Sequence, residues 1–161
     1  MSASFSAIAT DLKKTVTQAK PLLEELDSTN TAFRPTPKKW SKNEILGHLL
    51  DSASNNHQRF VRAALQGELD FPRYEQDSWV ELQRFNDLEW KFLVEYWANY
   101  NILLAHLIGA LPDNALEAPC RIGGNPPVTL AWLAADYVAH LKHHLKQIVG
   151  REFETGHPSK A

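Results

Sequence analysis

The sequence predicts an all-α protein with the architecture of a four-helix bundle. Four long segments repeat apolar residues at spacings of three and four, the period of a helix that buries one face. No segment alternates apolar and polar residues convincingly, as a half-buried strand does. The 161 residues suffice for one domain with a sizeable core. We therefore predict a single domain over residues 1–150 and a frayed tail over residues 151–161.

The first two helices differ in how clearly the sequence marks their ends. The first is predicted over residues 2–28, with a kink or break at Pro21, because proline lacks a backbone donor and clashes with the preceding turn. The second is predicted from Ser41 to Gly67. Ser41 and Glu44 match a capping box, in which each side chain bonds a free backbone N–H of the other residue.

Longer connections separate the later helices. A polar and aromatic connection after the second helix is expected to contain a short turn near residues 78–84. Asn86 and Glu89 suggest a second capping box, which would open a third helix that ends near Leu111.

The fourth helix follows an irregular loop that is rich in proline. Thr129 is its expected N-cap, and Gly150 its expected end, because glycine readily adopts the left-handed conformation that closes helices. One face of this helix is predicted to enter the core: Leu130, Leu133, Ala134, Tyr137, Leu141, Leu145 and Ile148.

Composition and charge exclude several classes of function. The net charge of −2 is spread without long runs, so we expect no nucleic-acid partner and no membrane partner. No apolar stretch is long enough to span a bilayer, and the first residues lack the pattern of a signal peptide. The single cysteine, Cys120, excludes an intramolecular disulfide and fits a reducing compartment. These observations predict a cytoplasmic protein.

Two histidines of the fourth helix occupy the same flank. His140 and His144 are four residues apart, so their side chains lie one helical turn from each other beside the apolar face. His143 is predicted to lie on the opposite, solvent-facing side together with Asp136. The pair that can act together is therefore His140 and His144.

The second helix carries a matching polar stripe. His48, Ser52, Asn55 and Arg59 follow one another at spacings of four, three and four beside the apolar face. Polar side chains in this position are expected to line a cavity or groove between helices. Two such flanks on different helices can face each other, which is where helix bundles build their metal sites.

Three imidazoles from His48, His140 and His144 would suit one divalent transition metal. Zinc or nickel fits best, and iron and manganese stay open. Three protein ligands leave a coordination position at which a water or thiol would be activated. The alternative is that such a histidine pair on a helix consists of two partly exposed polar side chains.

Three segments resemble a known family. WSKNEILGHLLDSASNNHQRFVRA resembles the second helix of the DinB-like superfamily, and TLAWLAADYVAHLKHHLKQI resembles its last helix. Between them, RYEQDSWVEL resembles a segment of the YfiT-like branch, described as metal-dependent hydrolases and low-molecular-weight thiol transferases. The resemblance implies an up-down-down-up bundle, often a homodimer, with metal ligands at His48, His140 and His144.

The resemblance also marks candidate substrate-binding residues. Asn55 and Arg59 match polar positions of the YfiT-like second helix, and Gln76 lies in the matched connection. The Arg59 guanidinium could bind both oxygens of a substrate carboxylate, or Arg59 could form a surface salt bridge. Asn55 could orient a metal-bound water or a ligand, or face solvent.

Two functions follow from these residues. The first is an enzyme in which a three-histidine metal activates a thiol or water for transfer to, or hydrolysis of, a small electrophilic substrate. The second is a non-catalytic, stress-associated module that binds a metal or a small ligand. An open coordination position beside a concave pocket would distinguish the enzyme.

Overall fold

Four long helices form the body of the protein in a computed structural model that describes residues 4–154. The long helices are α1 (Phe5–Glu24), α2 (Lys42–Gln66), α4 (Trp90–Ala110) and α5 (Leu130–Val149), and α3 (Gln76–Gln83) is a short helix in the connection between α2 and α4. The predicted bundle of helices is confirmed, whereas the up-down-down-up order stays a prediction. Within residues 4–154, no helix has the length and apolar character needed to cross a membrane.

One hydrophobic core joins the four long helices. Helices α1 and α2 each pack against both α4 and α5. The buried side chains include Trp97 of α4 and Phe60 of α2, both inaccessible to solvent. The predicted apolar face of α5 is confirmed, because all seven of its residues are buried. The polar flanks of α2 and α5 therefore meet along the border of this core.

Most of the predicted helix ends are present. Ser41 accepts the backbone N–H of Glu44 while the Glu44 carboxylate accepts the backbone N–H of Ser41, so the capping box is confirmed. Thr129 caps α5 through its hydroxyl. Gly67 and Gly150 close α2 and α5 in the left-handed conformation, with φ of 78° and 70°.

Pro21 does not break the first helix. Helix α1 continues through Pro21 and ends at Glu24, one turn later. Pro21 removes one helical hydrogen bond, the one that its missing N–H would donate to the backbone oxygen of Thr17, and only three residues of the helix follow it. Leu23, which follows Pro21, is fully buried, and its packing favours the last turn.

The second predicted capping box is wrong. Asn86 lies in a 3₁₀ turn over Phe85–Asp87, where its Oδ1 accepts the hydroxyl hydrogen of Ser41 at 2.5 Å. Helix α4 begins at Trp90 without a side-chain cap. The side chain of Asn86, which was predicted to cap α4, instead connects this turn to the start of α2.

A small three-stranded sheet was not predicted. Strand β1 (Leu69–Phe71) pairs in parallel with β2 (Pro119–Ile122), and β2 pairs antiparallel with β3 (Val128–Thr129). Strands of two to four residues are too short to show an alternating pattern. The sheet ties the connection after α2 to the loop before α5, and so holds both connections at the same end of the bundle.

The predicted frayed tail lies largely outside the described residues, at positions 155–161. Its first residues pack on the bundle. Phe153 is buried, and the backbone oxygen of Glu154 accepts a hydrogen bond from Lys142, whose ammonium also contacts the Asp11 carboxylate at 2.7 Å. The domain limits stay a prediction, and the packed chain extends to Glu154.

Candidate metal centre

The structure brings together the three histidines that the sequence predicted as metal ligands. His48 Nε2 of α2 lies 3.2 Å from His140 Nε2 of α5, and His144 Nε2 lies 3.1 Å from the same atom. One ring nitrogen of each histidine lies within 4.8 Å of the others. The four-residue spacing on α5 and the packing of α2 against α5 together produce this convergence.

Neighbouring side chains orient two of the rings. His48 is 1% exposed, and its ring lies 5.1 Å from the Trp40 ring between centroids. His144 Nδ1 lies 2.9 Å from Gln147 Oε1. Because an amide oxygen can only accept, His144 Nδ1 carries the hydrogen, and its Nε2 presents a lone pair to the other histidines.

Hydrogen bonds between the three rings cannot satisfy all of the Nε2 atoms. With the His144 Nε2 unprotonated, a hydrogen on His48 Nε2 leaves two lone pairs facing each other between His140 and His144. A hydrogen on His140 Nε2 can point at only one of its two neighbours and leaves the other acceptor without a donor. A cation that binds the three Nε2 atoms would satisfy all of them. The donor set therefore fits a divalent transition metal, for which imidazole nitrogen is a preferred ligand.

The protonation states agree with a set of ligands. Burial lowers the pKa of His48 to about 4, and a charge on His144 would lower it further. Burial also lowers the pKa of His144, although the hydrogen bond to Gln147 opposes this. Both imidazoles are therefore neutral near pH 7, which is the form that binds metal ions.

A cavity of about 190 Å³ lies beside the histidines. Its walls come from α2, from the connection that follows β1, and from α5. The lining residues are His48, Ser52, Asn56, Arg59, Arg73, Tyr74, Gln76, Leu133, Asp136, Tyr137 and His140. The cavity combines apolar walls with a few charged and polar groups, which is typical of small-molecule sites.

Two of the three predicted substrate-binding residues line this cavity. Arg59 and Gln76 do so, whereas Asn55 is absent from the lining and donates its amide to the backbone oxygen of Asp51. Asn56 lines the cavity in its place, and its amide donates to the backbone oxygen of Ser52.

Asp136 also lines the cavity, although the sequence predicted that it faces solvent. It precedes His140 by four residues, so both side chains lie on one flank of α5. This four-residue spacing was the signal that the sequence offered. The prediction instead grouped Asp136 with His143, which lies seven residues, or about two turns, further along the helix. His143 itself is exposed, as predicted.

A buried carboxylate lies behind the cavity wall. Asp51 accepts hydrogen bonds from Gln83 Nε2 at 2.8 and 2.9 Å. Burial raises the pKa of Asp51 to about 6, even though the Gln83 bonds act in the opposite direction. Burial also raises the pKa of Tyr74 to about 12, so Tyr74 presents a neutral hydroxyl at neutral pH.

A second, larger cavity of about 630 Å³ reaches the histidines from another direction. Its lining includes Trp40, His144 and Gln147, together with Lys38 and Lys39 of the segment before α2. The three-histidine centre therefore contacts both cavities, the smaller one through His48 and His140 and the larger one through His144.

Cys120 contributes no nucleophile. Its side chain is buried in β2, and burial raises the pKa of the thiol to about 11. The thiolate, which is the reactive form of cysteine, is therefore suppressed at neutral pH.

Together, the fold and the site define a helical bundle with a three-histidine centre that could hold a metal ion. A family model described as the DinB superfamily matches residues 11–148. The chain therefore belongs to the DinB superfamily, and the resemblance noted in its sequence is confirmed.

The fold is similar to that of a solved structure, YfiT from Bacillus subtilis, with a TM-score of 0.80. The two chains are 18% identical, and the match covers 91% of this chain and 84% of YfiT. YfiT is described as a probable metal-dependent hydrolase with an unusual four-helix bundle topology. The likeness establishes the four-helix bundle fold. A comparison with curated proteins gave no match.

Proposed function

We propose that this protein is a metal-dependent hydrolase that acts on a small molecule. The convergence of three imidazole nitrogens, one per histidine and within 4.8 Å of one another, carries this proposal. The description of YfiT as a probable metal-dependent hydrolase supports it. The adjoining cavity supports a catalytic role over metal storage, because a substrate needs a concave surface beside the ion.

His48, His140 and His144 would hold the metal. A divalent ion bound there supplies Lewis acidity, which lowers the pKa of a water or thiol at its open coordination position. Zinc or nickel suits the three neutral nitrogens. Metal analysis is needed to distinguish these ions from iron or manganese. Gln147 would keep His144 in the tautomer that binds, through the hydrogen bond to Nδ1.

The cavity residues would position the substrate. Arg59 and Gln76 line it and offer donors to anionic or carbonyl oxygens. Asp136, one turn from His140, offers a carboxylate within the same cavity and is the candidate to accept a proton. Asn55, absent from the lining, has no such contact, and Asn56 offers an amide in its place.

The first test is elemental analysis of untagged protein purified without chelator. We expect about one equivalent of a transition metal in the wild type, and a loss of that metal in His140→Ala. His106→Ala is the matched control, since His106 is an exposed histidine of α4 and should leave metal content unchanged. Wild-type protein that stays metal-free after reconstitution would overturn the proposal.

Thiol transfer is a second candidate function. The cavity of about 630 Å³ at His144 supports it, because a separate cavity gives a thiol co-substrate its own route to the centre. Cobalt-substituted protein distinguishes the functions. A thiol that binds the metal changes the visible spectrum, and a turnover that requires the thiol favours transfer over hydrolysis. A spectrum that neither thiols nor anions perturb favours the non-catalytic, metal-binding module.

We also retain the homodimer, the up-down-down-up helix order and the cytoplasmic location as proposals. Exposed aromatic residues on the outer face of α4 support the homodimer. Phe92 and Tyr96 are 55% and 51% exposed, and their rings stack at 6.1 Å between centroids. Exposed aromatic area of this kind marks protein interfaces. Light scattering on wild type and Tyr96→Arg would test it, with a monomeric wild type as the contrary result.

A further inference from the structure

Arg59 lines the small cavity together with His48 and His140 of the metal centre. It follows His48 by 11 residues on α2, which is a rise of about 16 Å along the helix. The two residues lie on nearly the same flank of the helix, and both side chains line the cavity. One molecule in the cavity could therefore contact both Arg59 and the histidines, of which His48 lies about three helical turns from Arg59 along the backbone of α2.

The Nε atom of the Arg59 guanidinium is buried without a hydrogen-bond acceptor in the described part of the chain. The side chain is 8% exposed, and its Nε has no hydrogen-bond acceptor among residues 4–154. None of the ion pairs found within residues 4–154 includes Arg59. A buried charge in this state is unfavourable unless a ligand completes it.

The small sheet holds the guanidinium in place. Arg59 Cζ lies 5.4 Å from the centroid of the Phe71 ring, and this face-on contact is a cation–π interaction. Phe71 is itself fixed in β1, where it pairs with Ile122 of β2. The donors of Arg59 are thus oriented before any ligand arrives, and a planar fork of this kind matches the two oxygens of a carboxylate.

The charges in the cavity favour a singly charged ligand. Its lining contains two guanidinium groups, Arg59 and Arg73, and one carboxylate, Asp136. Arg73 pairs with Glu75 at 3.6 Å, so Arg59 is the guanidinium of the lining that has no ion pair within residues 4–154. In the metal-free protein one carboxylate balances its single charge, whereas a phosphate dianion exceeds it. The volume of about 190 Å³ lies below the roughly 300–1,000 Å³ of sites for drug-sized ligands.

We propose that Arg59 binds the carboxylate of a small monoanionic substrate whose reacting group lies several bonds away, at the three-histidine centre. This inference rests on the proposed function for the identity of the reacting group. The binding of the carboxylate itself does not need the metal, so the two can be tested separately.

The test titrates the full-length chain with potassium acetate, at an ionic strength held constant with potassium chloride. Metal-free and zinc-loaded protein are both used, and binding is followed by the Arg59 Nε resonance in NMR and by the melting temperature. We expect saturable acetate binding in the metal-free wild type. Arg59→Met should weaken it by about tenfold or more, since charge-assisted hydrogen bonds are lost. Arg62→Met, which removes an exposed arginine of the same helix, should leave it unchanged.

The variants also separate binding from a structural role. If Arg59 serves a ligand, then Arg59→Met in chloride should melt no lower than wild type, because an unpaired buried charge has been removed. Arg59→Lys keeps the charge but not the fork, and should bind acetate more weakly than wild type. The Arg59 resonance of the wild type reports binding even where a variant fails to fold.

Two results would overturn this inference. One is metal-free wild type whose Arg59 resonance does not respond to acetate, or an acetate-induced rise in melting temperature that is the same in Arg59→Met as in wild type. The other is inorganic phosphate binding as tightly as acetate, which would contradict the single charge. Loss of zinc uptake with acetate binding intact would instead count against the proposed metal-dependent function alone.

Discussion

Replacing Gly47 with alanine should destabilise the protein, although alanine is the better helix former. Gly47 lies within α2 and directly precedes His48. A Cβ atom at this position would lie 2.2, 2.3 and 2.5 Å from three carbon atoms of the Phe85 ring. Ordinary carbon contacts are about 3.5–4.0 Å long, so each contact would be short by about 1 Å or more. Phe85 is buried, and Asn43 donates its amide to the Phe85 backbone oxygen, so the ring cannot simply move away.

The magnitude follows from two opposing effects. Alanine gains about 1 kcal/mol over glycine in the interior of a helix. Overpacking of a buried site costs about 1–3 kcal/mol and occasionally more, and three simultaneous short contacts place this site at the upper end. We expect Gly47→Ala to lower the free energy of unfolding by about 1–2 kcal/mol, measured by urea denaturation at pH 7. Zinc binding should weaken in parallel if the strain reaches His48.

Gly109 provides a matched control. It is a second helical glycine, and its added Cβ would lie 3.4 Å from the Ala9 Cβ, an ordinary contact. Gly109→Ala should therefore stabilise the protein by up to about 1 kcal/mol. In a Phe85→Ala background, Gly47→Ala should become neutral or stabilising, which gives a coupling energy of about 2 kcal/mol. The reasoning is refuted if Gly47→Ala is at least as stable as wild type, or if its cost is the same in both backgrounds.

Three further changes test the site and its surroundings. Gln147→Ala removes the acceptor at His144 Nδ1 and should weaken zinc binding about tenfold or more in a chelator competition, whereas an unchanged affinity would show that the amide does not orient the ligand. Asp51→Asn should stabilise the protein above pH 6 by about 1–3 kcal/mol. The folded pKa of Asp51 is raised from 3.8 to about 6, so wild type loses stability as the pH rises through that range, and the two proteins should converge below about pH 4 in melting scans. Asp11→Ala should lower the free energy of unfolding by about 1–3 kcal/mol, because it strands the buried ammonium of Lys142, and adding Lys142→Met should recover part of the loss in urea denaturation.

The helices were predictable because their determinants are local. The apolar period, the capping box at Ser41 and the glycine at position 150 each act over a few neighbouring residues, and each is present in the structure. The sheet was not predictable for the opposite reason. Strand β1 pairs with β2 from Leu69 opposite Cys120, residues that are far apart in the chain, and the strands are too short to carry a pattern. The predicted capping box at Asn86 is wrong because the amide oxygen of Asn86 instead accepts a hydrogen bond from Ser41, which is far away in the sequence.

The site shows the same division. His140 and His144 share a flank by spacing alone, and His48 follows from a polar stripe on α2. A helical wheel gives the width of that stripe, but not the side on which the next helix packs. Helix α5 covers the side that contains Asn56, so Asn56 lines the cavity and Asn55 does not. Which residue enters a pocket depends on tertiary packing, and this is why the convergence of the three histidines was more predictable than the walls of the cavity.

The energetic costs of the structure concentrate where the candidate site lies. Four buried polar side-chain atoms lack a hydrogen-bond partner within residues 4–154, and two of them, His48 Nδ1 and Arg59 Nε, belong to residues that line the small cavity. Packing alone would favour apolar residues at both positions, since a buried polar group without a partner costs about 1–3 kcal/mol. Local sequence choices that oppose stability are expected where a binding site requires them. A bundle that served only as a scaffold would have no reason to retain a buried Arg59 Nε without an acceptor in the described chain and three convergent imidazoles on adjacent walls, whereas an anionic ligand would pair with Arg59 and a metal would bind the three Nε2 atoms.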